Sequence, residues 1–297
     1  MTDRTKGILA MIAVCVIWGT SPIFYHLLRH VPPAEVLAHR TLWSLLLFGL
    51  VMVLQGQFAG ISLALRPPHL ARVIVAAVMI SINWGLFIWS VQNGHVVESS
   101  LGYYMFPLVA VAGGVVIFHE QLGPAGQLAV ALATAAVVVL TWGLGATPWI
   151  SLILAFTFGL YGLVKKALPL GPVQSVTAEV AILAPLAIGW LAAVHLGLLP
   201  HRTRPGAFWS DLPTTVLLIL SGPITAIPLM LFARAARSVD MATVGLIGYL
   251  NPTLQFLCAV VLFGEAFTRW HGIAFAMIWT ALAIYTLSAY AATPRRA

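Results

Sequence analysis

Apolar runs of about 17 to 25 residues recur along the 297-residue chain, and short stretches of turn chemistry separate them. Such runs match the length an α-helix needs to cross roughly 30 Å of hydrocarbon. The breaks include Val31-Pro32-Pro33, Gln92-Asn93-Gly94, Leu122-Gly123-Pro124 and Leu170-Gly171-Pro172. The pattern predicts ten transmembrane helices, at residues 7–28, 34–54, 70–91, 97–118, 124–144, 149–166, 173–195, 212–235, 241–263 and 269–290. The longest polar interruptions, 55–69 and 200–211, are too short for a soluble domain. The first run is longer than the apolar core of a typical secretory leader and nine more follow it, so it reads as structure and not as a cleaved signal.

Two of these runs can be laid on each other. Leu101, Tyr104, Pro107, Val115, Val116, Phe118 and Glu120 recur 145 residues later as Leu246, Tyr249, Pro252, Val260, Val261, Phe263 and Glu265. Leu86-Phe87 answers Leu231-Phe232 at the same offset, and Trp18-Gly19 answers Phe158-Gly159 at 140. The matched spans are the fourth and the ninth. Because an odd number of spans separates them, the second copy enters the membrane from the opposite face, which makes the duplication an inverted repeat. The fold class expected is therefore an all-α integral membrane protein, with one five-helix repeat over residues 1–146 and a second, inverted one over 147–297. Exchange of conformation between two such halves is the physical basis of alternating access.

Composition strengthens the membrane reading: 61% of the residues are hydrophobic and 8% charged, against about 25% charged in soluble domains. Lys and Arg near span ends favour the cytoplasmic side. With the N-terminus inside, Arg4, Lys6, Arg66, Arg72, Lys165, Lys166, Arg234, Arg237, Arg295 and Arg296 are cytoplasmic, Arg29, Arg202, Arg204 and Arg269 lie outside, and both termini are cytoplasmic. The formal net charge of +7 is then that of helix-end anchors facing anionic lipid, and no nucleic-acid partner is expected. Cys15 and Cys258 both fall deep in predicted helices, which offers neither a disulfide framework nor a cysteine metal cluster.

Ionisable groups within spans are costly and therefore candidates for binding or gating. Glu35, His39 and Arg40 lie within two turns of the second span, Glu35 and His39 on one face. Glu179 follows Arg40 by 139 residues, nearly the repeat distance, so that the two charges are expected to find internal partners, each other among the choices. Glu120 and Glu265 stand at helix ends and read as fixing an end or a neighbouring loop. Glu98, opening the fourth span, complements a helix N-terminus. Proton coupling is the sharper alternative for Glu35 or Glu98.

Uncharged polar and aromatic residues at mid-span are the better candidates for a solute site. Pro107 and Pro252 each remove a backbone donor, and Pro223 and Pro228 predict a bent or interrupted eighth span. Asn251 and Gln255 share a face, and Asn83 and Trp84 lie near the midplane. Trp18, Ser21, Phe158, Tyr161, Tyr103, Tyr104, Phe106 and Tyr249 supply walls. Such a set suits an amphipathic solute through stacking, hydrogen bonds and cation–π contact.

Three stretches carry a family resemblance: Glu35-Val36-Leu37-Ala38-His39-Arg40-Thr41-Leu42-Trp43-Ser44, then Asn83-Trp84 with Asn93-Gly94-His95 and Glu98-Ser99-Ser100-Leu101-Gly102-Tyr103, and finally Pro252-Thr253-Leu254-Gln255-Phe256. In these the chain resembles the RarD-type permeases of the EamA group, within the drug/metabolite transporter superfamily. The resemblance runs from about Gly7 to Tyr290. It implies ten helices in two inverted repeats, a bacterial inner-membrane location, a central cavity among helices one, three, four, six, eight and nine, and relatives that export amino acids or other metabolites. Phe106 stands where these proteins often carry asparagine, and Tyr104 and Met105 also depart from the pattern.

The function expected is secondary transport of a small organic solute, an amino acid or a related amphipathic metabolite or drug, in the outward direction. The partners are then the solute and the bilayer. No cofactor or metal is called for, and the sequence leaves the oligomeric state open, a monomer sufficing. No Walker A loop marks an ATP-driven pump, and neither a zinc-protease histidine pair nor a nucleophile elbow marks an intramembrane enzyme. A channel or receptor for a small ligand is the competing reading.

Overall fold

A computed structural model describes residues 2–56, 59–67, 69–118, 123–145, 148–198, 206–239, 244 and 247–292. Glu120, Leu246, Arg202, Arg204, Arg295 and Arg296 fall outside them, as does the expected seam between the repeats at 146–147. The described residues form helices α1 (Asp3–Leu27), α2 (Pro33–Gln55), a short α3 (Ala59–Ala64), α4 (His69–Gln92), α5 (Val96–Phe118), α6 (Pro124–Leu144), α7 (Trp149–Lys166), α8 (Pro172–His195), α9 (Leu212–Ser238), α10 (Leu250–Leu257) and α11 (Arg269–Ala292). Each apolar run read from the sequence overlaps one of them. Seven are long and apolar enough to cross a membrane, and Trp149–Lys165 and Leu250–Leu262 are shorter apolar helices.

Local chemistry sets the helix limits. Pro33, Pro124 and Pro172 stand at the first helical position, where the missing N–H costs nothing. Gly56 and Gly145 close α2 and α6 in the left-handed conformation, at φ 65° and 67°. Asp211 caps α9 by accepting from Thr214 N at 2.8 Å. Both Pro223 and Pro228 lie inside α9, which runs unbroken from Leu212 to Ser238; an interrupted helix there is therefore not what forms. Pro252 is the third residue of α10, just past a turn at Tyr249 that separates α10 from the helical residues 247 and 248. A π-turn, Cys258–Leu262, follows directly.

Beside an apolar core, the bundle exposes apolar side chains and buries polar ones. Leu46, Leu54, Trp142 and Leu186 are exposed on the helix bodies, whereas Ser44, Asn83, Ser90, Ser99, Ser100 and Glu179 are wholly buried. An apolar exterior around a polar seam is the arrangement lipid selects, because polar groups find partners only inside the bundle.

The helices pair in a regular way. α1 packs on α9 and α7 on α4; α5 packs on α7 and α10 on α1; α2 packs on α9 and α8 on α4. α2 also meets α8, α5 meets α10, and α6 meets α11. Close approach is built in where α5 crosses α7: a Cβ on Gly102 would lie 2.8 Å from Ser151 O and 2.9 Å from Leu154 Cβ. Ser151 Oγ donates to Glu98 O at 2.7 Å across the same contact.

One end of the bundle gathers Arg29, Gly94, Trp149 and Glu265. There Gln92 Nε2 donates to Leu28 O and Val31 O, and Trp89 lies against Trp149. Glu265 accepts from Val96 N and Val97 N, both at 2.8 Å, capping α5 from another part of the chain. The expectation that this glutamate fixes a helix end is met. Burial, with Glu98 nearby, pushes its carboxyl above the ordinary value, while the two N–H groups oppose the shift. Glu265→Ala is expected to cost about 0.5–2 kcal/mol, the range for losing a helix cap. An unchanged thermal unfolding midpoint in detergent would contradict that assignment.

Candidate functional site

Asn83 is the centre of the buried polar seam. Its Nδ2 donates to Leu154 O at 3.0 Å and to Thr157 Oγ1 at 2.9 Å, and its Oδ1 accepts from Tyr103 OH at 2.9 Å. A carbonyl only accepts, so Leu154 O fixes which way the amide faces. Thr157 Oγ1 is free to accept because its own proton goes to Ile153 O at 2.7 Å. One asparagine on α4 thereby ties together α4, α5 and α7. No other side chain of this size offers two donors and an acceptor at once.

Aromatic rings extend from this node in both directions. Tyr103 stands edge-on to Phe87 at 5.7 Å and to Phe158 at 5.8 Å. Phe158 contacts Phe106 at 4.8 Å and stacks with Tyr161 at 5.9 Å, and Phe87 meets Tyr25 at 5.9 Å. The ladder ends in charge on both sides.

On the Glu265 side lies Arg40, only 6% exposed. Its Cζ sits 4.1 Å from the centre of the Trp84 ring and 5.7 Å from that of Tyr25. Desolvated cation–π contact contributes about 2 kcal/mol, which offsets part of the roughly 2.5–3.5 kcal/mol that an arginine costs at mid-span. Nε is buried without a hydrogen-bond partner. Among the described residues no carboxylate pairs with Arg40.

On the opposite side Glu179, wholly buried, takes its ion partner from Lys165 at 2.7 Å. Ser175 Oγ donates to the same Oε1 at 2.8 Å and Tyr161 OH donates to Oε2 at 2.9 Å. Lys165 Nζ also reaches Ser175 Oγ at 2.6 Å. The sequence offered Arg40 as a partner for Glu179, and the fold supplies Lys165, which had read as a helix-end anchor. Its signal was available: an offset of 140 places Lys165 on Tyr25, so each half brackets one charge with one helix-end side chain.

The remaining sequence candidates separate into other groups. Gln255 Nε2 donates to Asn251 Oδ1 at 3.0 Å on α10, confirming their shared face, and Gln255 Oε1 is buried without a partner. Tyr104 points away from the ladder. It bonds Thr253 and packs on Phe275 and Trp279, so it joins α5 to α10 and α11 instead of lining a wall with Tyr103. Tyr249 belongs to the same packed cluster, together with Tyr285. Ser21 donates within its own helix to Trp18 O at 2.6 Å, and Trp18 is half-buried. Pro107 lies inside α5, one residue beyond Phe106.

Glu35 and His39 do share a face, and they hold the segment before α9. Glu35 Oε1 accepts from Ala207 N, and His39 stacks on Phe208 at 4.8 Å. Glu98 contacts His95 Nδ1 at 3.2 Å, leaving the hydrogen-bonding cap of α5 to Glu265. Among the described residues no group of three His, Cys, Asp or Glu side chains is placed to hold a metal ion.

Comparison with known proteins follows the same lines. The model of the EamA-like transporter family matches residues 5–142. An uncharacterized transporter of Pseudomonas aeruginosa is 40% identical over 287 residues, spanning 96% of this chain and 94% of its own. Protein RarD of Streptomyces exfoliatus is 42% identical over 290 residues, 97% of this chain and 90% of its own. One crystal structure, 18% identical, covers 99% of this chain and 100% of its own with a TM-score of 0.60, a likeness of fold. Apolar helices around a buried polar seam, and identity at this level along nearly the whole length, place the chain among the RarD-type permeases of the EamA-like transporter family, as a multi-pass membrane transporter.

Proposed function

We propose that the protein is a secondary transporter that moves a small organic solute outward across a bacterial inner membrane by alternating access. Ten transmembrane helices form two inverted five-helix repeats, residues 1–146 and 147–297, with both termini cytoplasmic. The solute is an amino acid or a related amphipathic metabolite or drug.

The observation that carries this reading is the helix pairing. Exchange α1 with α7, α2 with α8, α4 with α9, α5 with α10 and α6 with α11, and the principal contacts return the same set. α1 on α9 becomes α7 on α4, and α5 on α7 becomes α10 on α1. Contacts that map onto themselves in this way support two halves able to trade conformations. The seam along Asn83, Tyr103 and Phe158 joins α4 and α5 of one half to α7 of the other, which suits a solute held between them. Trp84, Asn251 and Gln255 add polar and aromatic groups on the helices beside it.

Purified protein in liposomes, loaded with amino acids and related amphipathic solutes, with and without a pH gradient, tests the proposal. Saturable counterflow of at least one solute is expected. Asn83→Leu, which strands Tyr103 OH and Thr157, is expected to lower counterflow at least tenfold, and Glu265→Gln far less. Flux that rises linearly with concentration would favour a channel, and equal effects of the two variants would sink the site.

A further inference from the structure

We infer that Arg40 is the anchor for an anionic oxygen group of the solute, and that the solute is therefore an amphipathic carboxylate. This rests on the transporter reading only in calling the bound molecule a solute.

The guanidinium keeps its proton in any protein environment. In α2 it lies eighth from the helix start, at Pro33, which puts it about 10 Å in from that end. Charges at such depth are paired or face a pathway. Among the described residues, the carboxylates within the helices are engaged elsewhere: Glu179 with Lys165, Ser175 and Tyr161, and Glu35 with Ala207 N. Nε is buried and unpartnered, and the residue as a whole is 6% exposed. What Arg40 does have is a ring against its face, with Trp84 at 4.1 Å and Tyr25 further off at 5.7 Å. Cation–π contact engages the charge without accepting a hydrogen bond from the unpartnered Nε, and the N–H edge of a guanidinium is where a carboxylate binds with two parallel hydrogen bonds.

The other half sharpens the point. Glu179 is the eighth residue of α8 as Arg40 is of α2, so the two positions correspond. Lys165 satisfies Glu179 from the position equivalent to Tyr25, which carries no charge. The charge in one half is closed internally, and its counterpart is left open. An ion from outside the chain completes it. Beyond Tyr25 the ladder of Phe87, Tyr103 and Phe158 offers apolar surface for the rest of the molecule, which excludes a small inorganic anion as the preferred occupant.

Matched carboxylates and amides test this directly. L-phenylalanine with L-phenylalaninamide, L-leucine with L-leucinamide, and 3-phenylpropionate with its amide are titrated against intrinsic tryptophan fluorescence of the protein in maltoside detergent. That detergent carries no phosphate, so a lipid headgroup cannot supply the signal. The same pairs are then run in counterflow. At least one carboxylate is expected to bind ten or more times better than its amide. Arg40→Gln is expected to abolish that preference, and Arg40→Lys, which keeps the charge without the fork, to retain part of it. A residue that only packed on Trp84 would change stability and leave the carboxylate-to-amide ratio alone. The wild-type comparison stands even if Arg40→Gln does not fold. Amides bound as well as carboxylates, a preference surviving in Arg40→Gln, or no response to any carboxylate would each overturn the assignment. Carboxylate binding without counterflow keeps the anion site and removes the transport reading; counterflow of both members of each pair alike does the reverse.

Discussion

Lys165→Met is expected to destabilise the bundle by about 3–5 kcal/mol, the range for removing one partner of a buried ion pair. Glu179 would keep donors from Ser175 at 2.8 Å and Tyr161 at 2.9 Å, but it would face low-dielectric surroundings without a counter-charge. The reverse change, Glu179→Gln, is expected to cost less. Lys165 is 20% exposed along its side chain and sits at a helix end, where a long stem can carry the ammonium to water. The double variant Lys165→Met with Glu179→Leu should recover most of the loss, because neither charge then remains to be buried. Apparent unfolding midpoints of the three variants in one detergent check this ordering. A Lys165→Met protein within about 1 kcal/mol of wild type would show that the pair contributes little to the fold.

Gly222→Ala is the second change with a large expected effect. A Cβ there would lie 2.5 Å from the carbonyl carbon of Trp43, 2.5 Å from its Cβ and 2.8 Å from Ser44 N. Those are backbone atoms or atoms fixed to backbone, so no rotamer relieves the contact; α2 and α9 must move apart. The Ser44 hydroxyl, 3.4 Å from Gly222 O, would lose its acceptor in the same step. Overpacking of this kind costs about 1–3 kcal/mol, and more where the backbone cannot shift. Gly49→Ala on α2 is the control, since nothing lies within 4 Å of its new methyl group. Monodisperse folded yield is expected to fall several-fold for Gly222→Ala and to hold for Gly49→Ala. Equal yields would mean that the two helices are not so closely seated.

How far the site could be read in advance depends on the kind of signal each residue sends. Asn83 was legible because an amide at mid-span must find partners, whatever they are. Its partners were not, because Leu154 O and Thr157 belong to a helix more than seventy residues later. Tyr103 and Tyr104 look alike in sequence, yet adjacent positions on a helix diverge by about 100°, and only packing decides that Tyr103 meets Asn83 while Tyr104 meets Thr253. Glu179 called for a cation, and periodicity offered Arg40. The turn between α7 and α8 instead returns the chain so that Lys165 arrives first.

The chain by itself determines where helices begin and end, because proline and glycine act on the backbone within a residue or two. Apolar runs long enough to span a bilayer, and a repeated pattern whose odd spacing argues for inversion, are equally local or periodic properties. Tertiary structure alone decides which buried charge is closed and which is left open. Spacing aligns Lys165 with Tyr25, but the outcome depends on contacts among α2, α4, α7 and α8 that only packing supplies. Lys165 and Arg40 are both cations within helices, and only packing puts one beside a carboxylate and the other over an indole ring with its edge unclaimed.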